Sequence, residues 1–287
     1  MKPIQILDRW MMMSEVVSSY NPAEEGALRI SKSSFGTYDK CPRLYYWNYI
    51  QRLSPPANDA MIRGSLIHEV LEVSLTEDKP IPQVVTEMEV KPDLGIDAMD
   101  EIMQAITEQF PDWVLVEAEV KHTIPYTVEF TDDELVLHNY EVVLVGKIDG
   151  VFRDKDGKLI IVELKTGELG SSKVSRTRKE LNYYKFMLEE AGYDVEDCRY
   201  LVIAPDATNV DVAMKLESSK RKTVIWGETS GIAYLEKPNG RSYNTTIRKF
   251  GEAVHGISSE QWPMNWSEYY CPEWCEYHLG CEQELLS

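Results

Sequence analysis

The sequence predicts an α/β fold, and three observations carry that prediction. Stretches with helical spacing of apolar residues alternate with short β-branched runs, the pattern of a sheet flanked by helices. Hydrophobic residues make up 43% of the 287, enough for a sizeable core and too many for a disordered chain. The strongest β-branched run, Glu141–Phe152, leads through a turn signal at Asp154–Gly157 into a second run at Leu159–Lys165, which reads as a hairpin.

The elements follow in order. Ile4, Leu7, Trp10, Met11 and Met13 give Met1–Tyr20 a helical spacing, and Asn21–Ala27 is a polar break with a proline. Ser33 and Ser34 are good N-caps for a helix running through Tyr38, Cys41, Leu44, Tyr45 and Tyr49. Ser54–Asp59 reads as a loop. Ile62–Val73 is a helix carrying Gly64 and His68, Lys79–Pro92 a loop with a short helix, and Ile96–Phe110 a further helix. Trp113–Val120 and His122–Phe130 read as strands ahead of the hairpin. Glu180–Ala191 is an amphipathic helix and Arg199–Ala204 a buried strand. Val210–Glu217 and Thr223–Ile225 are strand candidates. Glu228–Val254 reads as mainly helical, and the tail from Trp262 is rich in Trp, Tyr and Cys.

The net charge is −18, which argues against a passive nucleic-acid binder, because neutralising phosphates takes Lys and Arg. Any path for a nucleic acid must therefore be local. No signal peptide and no membrane-length apolar run is visible, so the expected location is cytoplasmic, with no membrane partner. Five cysteines in a reducing compartment point to metal ligands, catalytic groups or buried thiols before disulfides.

The main chemical signal is Gly146-Lys-Ile-Asp149-Gly150 followed by Glu163-Leu164-Lys165. Residues two apart on a strand share a face, so Glu163 and Lys165 point the same way, and the preceding strand can bring Asp149 beside them. Two carboxylates at one spot suit a hard divalent ion, and an ammonium beside them can orient a water or neutralise phosphate charge. An exposed charged hairpin face is the bland alternative. It is opposed by the apolar neighbours Ile160, Ile161, Val162 and Leu164, among which charges are costly unless used or paired. His68 can add a neutral imidazole. Glu117, on the strand before the centre, is a further candidate to face it.

Cys271, Cys275 and Cys281 form a compact triplet with x3 and x5 spacing, and Cys41 precedes Pro42 far upstream. Four thiolates suit a [4Fe–4S] cluster or a tetrahedral zinc. Joining Cys41 to the tail would clip a very long loop and couple metal binding to folding. Cys198 reads as an ordinary buried thiol.

Gly64-x-x-x-His68, then Gly146-x-x-Asp149, then Glu163-x-Lys165 resembles the ordered motif set of RecB-type PD-(D/E)XK nucleases, a group that includes the nuclease domains of RecB and AddB, a CRISPR-associated nuclease and phage exonucleases. The resemblance implies a restriction-endonuclease-like central mixed sheet flanked by helices. It implies His68, Asp149, Glu163 and the Leu164 carbonyl as ligands of magnesium or manganese, with Lys165 as the catalytic lysine. The group's Gln-x-x-x-Tyr motif falls on Glu180 and Tyr184; Tyr184 fits a catalytic role, and Glu180 stands where Gln is expected. An early Cys-Pro with three late cysteines is similar to the iron–sulfur subset of this group, which implies a structural [4Fe–4S] cluster at Cys41, Cys271, Cys275 and Cys281, although x3 departs from the more usual x2.

These readings give a single nuclease domain, 1–287, in four parts: a helical segment to residue 60, a catalytic core over 61–205, accessory strands and a helix over 206–260, and the cysteine-rich tail over 261–287. The expected activity is exonucleolytic cleavage of single-stranded or frayed DNA, the alternative being a catalytically silent DNA-binding or regulatory subunit that keeps the nuclease fold and cluster. Arg176, Arg178, Lys179, Tyr183 and Glu180 are the expected DNA contacts, since charge can track phosphates while rings stack on bases. Recombination, repair or CRISPR-adaptation proteins are the partners such a nuclease implies.

Overall fold

The computed structural model describes residues 27–53 and 57–286. The helix expected over Met1–Tyr20 and nearly all of the break at Asn21–Ala27 lie outside the described residues, as does part of the Ser54–Asp59 loop. In chain order the elements begin with β1 (Leu28–Ser31), α1 (Lys32–Lys40) and α2 (Pro42–Tyr45), the last followed by a π-helical turn, Tyr46–Ile50. Next come α3 (Asp59–Glu77), α4 (Ile81–Glu87), α5 (Leu94–Gln109), β2 (Val114–Glu117), β3 (Lys121–Thr131) and β4 (Leu137–Lys147). Then follow β5 (Gly150–Arg153), β6 (Leu159–Leu164), α6 (Ser171–Glu190), β7 (Arg199–Ala204), α7 (Val210–Glu217), β8 (Lys222–Trp226) and β9 (Ile232–Glu236). The chain closes with α8 (Gly240–Ser258), α9 (Tyr270–Trp274) and α10 (His278–Leu286).

The described residues divide into two compact units. Of these residues, the larger unit takes 57–120 and Lys147–Ile247, the smaller 27–53, Lys121–Gly146 and 248–286. The larger unit holds a six-stranded mixed sheet in the order β2-β5-β6-β7-β9-β8. β6 runs antiparallel to β5 and parallel to β7, and a parallel neighbour requires a crossover, which α6 supplies. All six residues of β6 are buried, which is why the run reads as continuously apolar rather than alternating. Ile160, Val162 and Leu164 pack with Ile67, Met99 and Ile102 of α3 and α5. Alternation along the strand then turns Glu163 to the other face, the one α6 packs against.

The smaller unit holds a three-stranded sheet, β1-β4-β3, in which β1 lies parallel to β4 from Leu28–Val142 to Ser31–Val145. Ser31 caps α1: its hydroxyl accepts from Ser34 N–H, and Ser34 Oγ accepts from Ser31 N–H in return. Phe35 of α1 meets Phe250 of α8 edge-on, with ring centres 5.6 Å apart.

Several elements differ from the sequence reading. The cap is Ser31, not Ser33 or Ser34, because the helix starts right after β1. Glu141–Phe152 is two strands in two sheets, interrupted at Ile148-Asp149. Val210–Glu217 is a helix, not a strand: Asn209 caps it by accepting from Val212 N–H, and Val212, Ala213 and Leu216 share the buried face. Ile232–Glu236, expected to be helical, is a fully buried strand between β7 and β8, since a short apolar run reads alike in either state. α6 begins nine residues before Glu180, so the basic Lys173–Lys179 stretch lies on the helix.

Candidate metal centre

The centre lies in the larger unit. Gly64 and His68, four apart, share one face of α3. A Cβ at Gly64 would come within 2.9 Å of Thr166 Oγ1, so the bare glycine lets the residue after Lys165 seat against the helix that carries His68. Asp149 sits at the break between β4 and β5. Its Oδ2 accepts from Leu164 N–H at 2.6 Å, and its Oδ1 lies 3.3 Å from His68 Nδ1. The β5–β6 register, Gly150 opposite Val162, runs Asp149 alongside Glu163. Burial alone would lower the His68 pKa, but hydrogen bonds to Asp149 and Glu119 and the charges of Asp149 and Glu163 raise it to about 9.

Lys165 bridges two acids: its Nζ is 2.6 Å from Glu163 Oε1 and 2.5 Å from Glu180 Oε2. Glu180, whose role the sequence left open, therefore has a definite partner in Lys165. Glu163 is almost wholly buried, so this pairing counts for more than a surface ion pair. Tyr184, one turn beyond Glu180, donates to the Lys147 carbonyl at 2.5 Å; burial, followed by the charge of Glu163, raises its pKa.

The loop after Lys165 is held on two sides. Lys173 Nζ reaches the carbonyls of Thr166, Gly167 and Glu168 at 2.5, 3.1 and 3.2 Å. Asp206 accepts from Gly167 N–H at 2.6 Å, and its carboxylate and that of Asp93 both pair with Arg63, at 2.8 and 2.7 Å.

Glu119 is the residue the sequence reading missed. The β2–β5 register slips between Leu115 and Glu117, and Glu119 then adopts a left-handed φ of +54°. Its N–H donates to Ile148 O at 2.9 Å, and its Oε1 lies 3.9 Å from His68 Nδ1. His68, Glu119 and Asp149 each offer an atom to a common point, all within 4.8 Å of one another. Glu117, the acid considered in its place, accepts from Tyr193 OH at 3.2 Å. An imidazole with carboxylate oxygens fits a hard divalent ion such as magnesium or manganese.

The expected DNA contacts separate. Tyr183 is buried and offers no ring face to a base, because α6 turns it into the core. Arg178 is held by the buried Glu236, which Lys222 also pairs with at 2.8 Å. Arg176 is exposed, 3.7 Å from Glu180. Lys179 lies on the same helix.

In the smaller unit, Cys41, Cys271, Cys275 and Cys281 line one cavity with Trp47, Trp266 and Tyr277. Ser267 N–H points at Cys271 Sγ, 3.3 Å away. Burial raises the Cys281 thiol pKa. Cys198, in the larger unit, is buried, its thiol pushed up to about 12 by burial.

The sequence profile of the PD-(D/E)XK nuclease superfamily matches residues 29–282. The chain belongs to the PD-(D/E)XK nuclease superfamily. The α/β fold with its mixed sheet agrees with that membership, and these nucleases work with divalent metals. No curated protein matches the chain. Among solved structures it is similar to that described as "Crystal structure of SSO0001", with 14% identity over 98% of this chain and 97% of the other and a TM-score of 0.39, too distant to inform the site. Among the described residues, no helix is long and apolar enough to cross a membrane.

Proposed function

We propose that this PD-(D/E)XK chain is a deoxyribonuclease that removes nucleotides from single-stranded or frayed DNA ends. The observation that supports it most is the approach of His68 Nδ1 to Asp149 Oδ1 at 3.3 Å, with Asp149 bonded to Leu164 N–H next to the Glu163–Lys165 pair. His68, Asp149, Glu163 and the Leu164 carbonyl would hold magnesium or manganese. The bound ion supplies Lewis-acid polarisation of the scissile phosphate and a more acidic water. Lys165 orients the attacking water and neutralises charge that develops on the phosphate. Glu180 holds Lys165 from the α6 side, and Tyr184 steadies the Lys147 carbonyl next to the centre. The preference for strand ends rests on the resemblance of the motif set to RecB-type exonucleases and on a net charge of −18, which leaves only a local path for DNA.

We propose further that the four cysteines hold a structural [4Fe–4S] cluster. All four line one cavity, and an early Cys-Pro with three late cysteines is similar to the iron–sulfur subset of this nuclease group.

The test uses anaerobically purified protein, end-labelled single- and double-stranded DNA, and magnesium or manganese. Mononucleotide or short products should accumulate with the wild type, and Lys165→Ala should lower the rate about 10³-fold or more. Equal cleavage by the two proteins, or none by the wild type, overturns the mechanism. Uniform internal cuts overturn the end preference. The visible absorbance of the same sample reports whether iron–sulfur is present.

A further inference from the structure

We infer that Glu119 is an additional ligand of the divalent ion in this chain, and that Lys147 is the cation that occupies Glu119 until the ion arrives. The inference rests on the metal-centre reading above and adds to it a residue outside the motif set.

Three independent features converge on Glu119. The first is its reach: it is Glu119, with His68 and Asp149, that offers atoms within 4.8 Å of one another, whereas Glu163 gives Oε1 to Lys165. The second is how it gets there. A register slip in β2 and a φ of +54° deliver it, a conformation uncommon for a residue with a long side chain. Such conformations persist only where the surroundings enforce them, and they gather at ligand-binding sites. The third is its company. The Glu119 side chain is only 7% exposed, and its Oε2 lies 2.6 Å from Lys147 Nζ while its Oε1 faces His68. A buried carboxylate needs a cation, and here the cation is replaceable. Lys147 is half-exposed, and its ammonium already touches a second acid, Glu72 of α3, at 3.1 Å. A divalent ion seated between His68, Asp149 and Glu119 would repel the ammonium, and Glu72 stands ready to receive it without a large movement.

The bland alternative is that Glu119 and Lys147 form a structural ion pair that merely borders the site. The two readings differ in how metal affinity responds. If Glu119 is a ligand, Glu119→Gln keeps the shape but weakens the donor, and Lys147→Met removes a competitor for the same oxygen. If Lys147 acts only through its charge at a distance, its removal tightens the ion whether or not Glu119 is present.

The experiment is a Mn²⁺ titration of the full chain followed by electron paramagnetic resonance of the free ion, without DNA and without turnover. Wild type, E119Q, K147M and the double variant are compared, with D149N as the reference for a lost ligand. The expected result is at least tenfold weaker binding in E119Q, a severalfold gain in K147M, and no gain from K147M once Glu119 is Gln. Should E119Q fail to fold, K147M decides alone: unchanged or weaker Mn²⁺ binding overturns the inference. Binding in E119Q within twofold of wild type, with D149N impaired, also overturns it and leaves the metal centre standing. A wild type that binds no Mn²⁺ overturns the metal centre itself, and this inference with it.

Discussion

On the function proposed above, the two units gather metal ligands by opposite means. In the larger unit the centre is an ionic lattice. Asp149 leans on His68, Glu163 and Glu180 on Lys165, and Glu119 on Lys147, so each acid has a cation within 4 Å. In the smaller unit the cysteines sit among rings: Tyr45 stacks on Trp262 at 5.8 Å and Trp47 on Tyr277 at 6.0 Å. Burial raises the thiols of Cys275 and Cys281 and so favours their neutral forms. The difference concerns what holds each site in shape. Internal salt bridges can keep the carboxylate centre organised without its ion. Rings rather than ion pairs surround the described thiols, so with the proposed cluster their order depends on what binds them as thiolates.

The largest expected effect follows from that dependence. Cys271→Ser should destabilise the smaller unit by about 3 kcal/mol, read as a fall in Tm of several degrees, because it removes one tether of a long closed loop. Chelating the divalent ion should barely move the unfolding of the larger unit. Thermal scans of wild type, Cys271→Ser and chelator-treated protein check this. Equal losses from the two treatments would erase the contrast between the units.

The next effect is catalytic. Gly64→Ala places a methyl 2.9 Å from Thr166 Oγ1. Thr166 and the loop that carries it can give by a few tenths of an ångström, and alanine suits a helix better than glycine, so stability should change by no more than about 1 kcal/mol. Yet Thr166 follows Lys165 directly, and a shift of its backbone misplaces the ammonium. Cleavage should fall about tenfold. Thr166→Ala in the Gly64→Ala background should restore most of it, since the remaining Cβ lies 3.9 Å away. An undiminished rate in the single variant would mean that close seating of this loop does not position Lys165.

These residues also mark where sequence reading succeeds and where it stops. Asp149, Glu163 and Lys165 were legible because their placement depends on strand alternation and one short turn, both local rules. Gly64 and His68 were legible as one helical face, though only the structure supplies Thr166 as the reason for the glycine. Glu119 was not legible. Its arrival needs a register slip and one left-handed residue, and neither leaves a mark in Val114-Leu-Val-Glu-Ala-Glu119. In the fold, the hairpin β5–β6 was readable from its turn residues. α7 and β9 were exchanged in type because both are short apolar runs whose state is decided by the sheet they meet.

The smallest effect tests how much the ionic lattice contributes beyond the ligands. Arg63 clamps Asp93 and Asp206, and Asp206 also receives Gly167 N–H. The hydrogen bond from Arg63 leads the causes that hold both carboxyls below their usual pKa. A depressed carboxylate pKa contributes stability that is present above the unfolded value near 3.8 and lost as pH falls through the folded value. Arg63 is about a third exposed, so solvent screens the pair and Asp206→Asn should cost only about 1 kcal/mol at pH 7. The gap between wild type and variant should close as the pH is lowered below about 3.8, because the wild type then also loses its charged partner. Urea unfolding of both proteins from pH 7 to pH 3 measures it. A gap that stays constant with pH would assign the loss to the Gly167 hydrogen bond alone, and the clamp would then be held by shape rather than by charge.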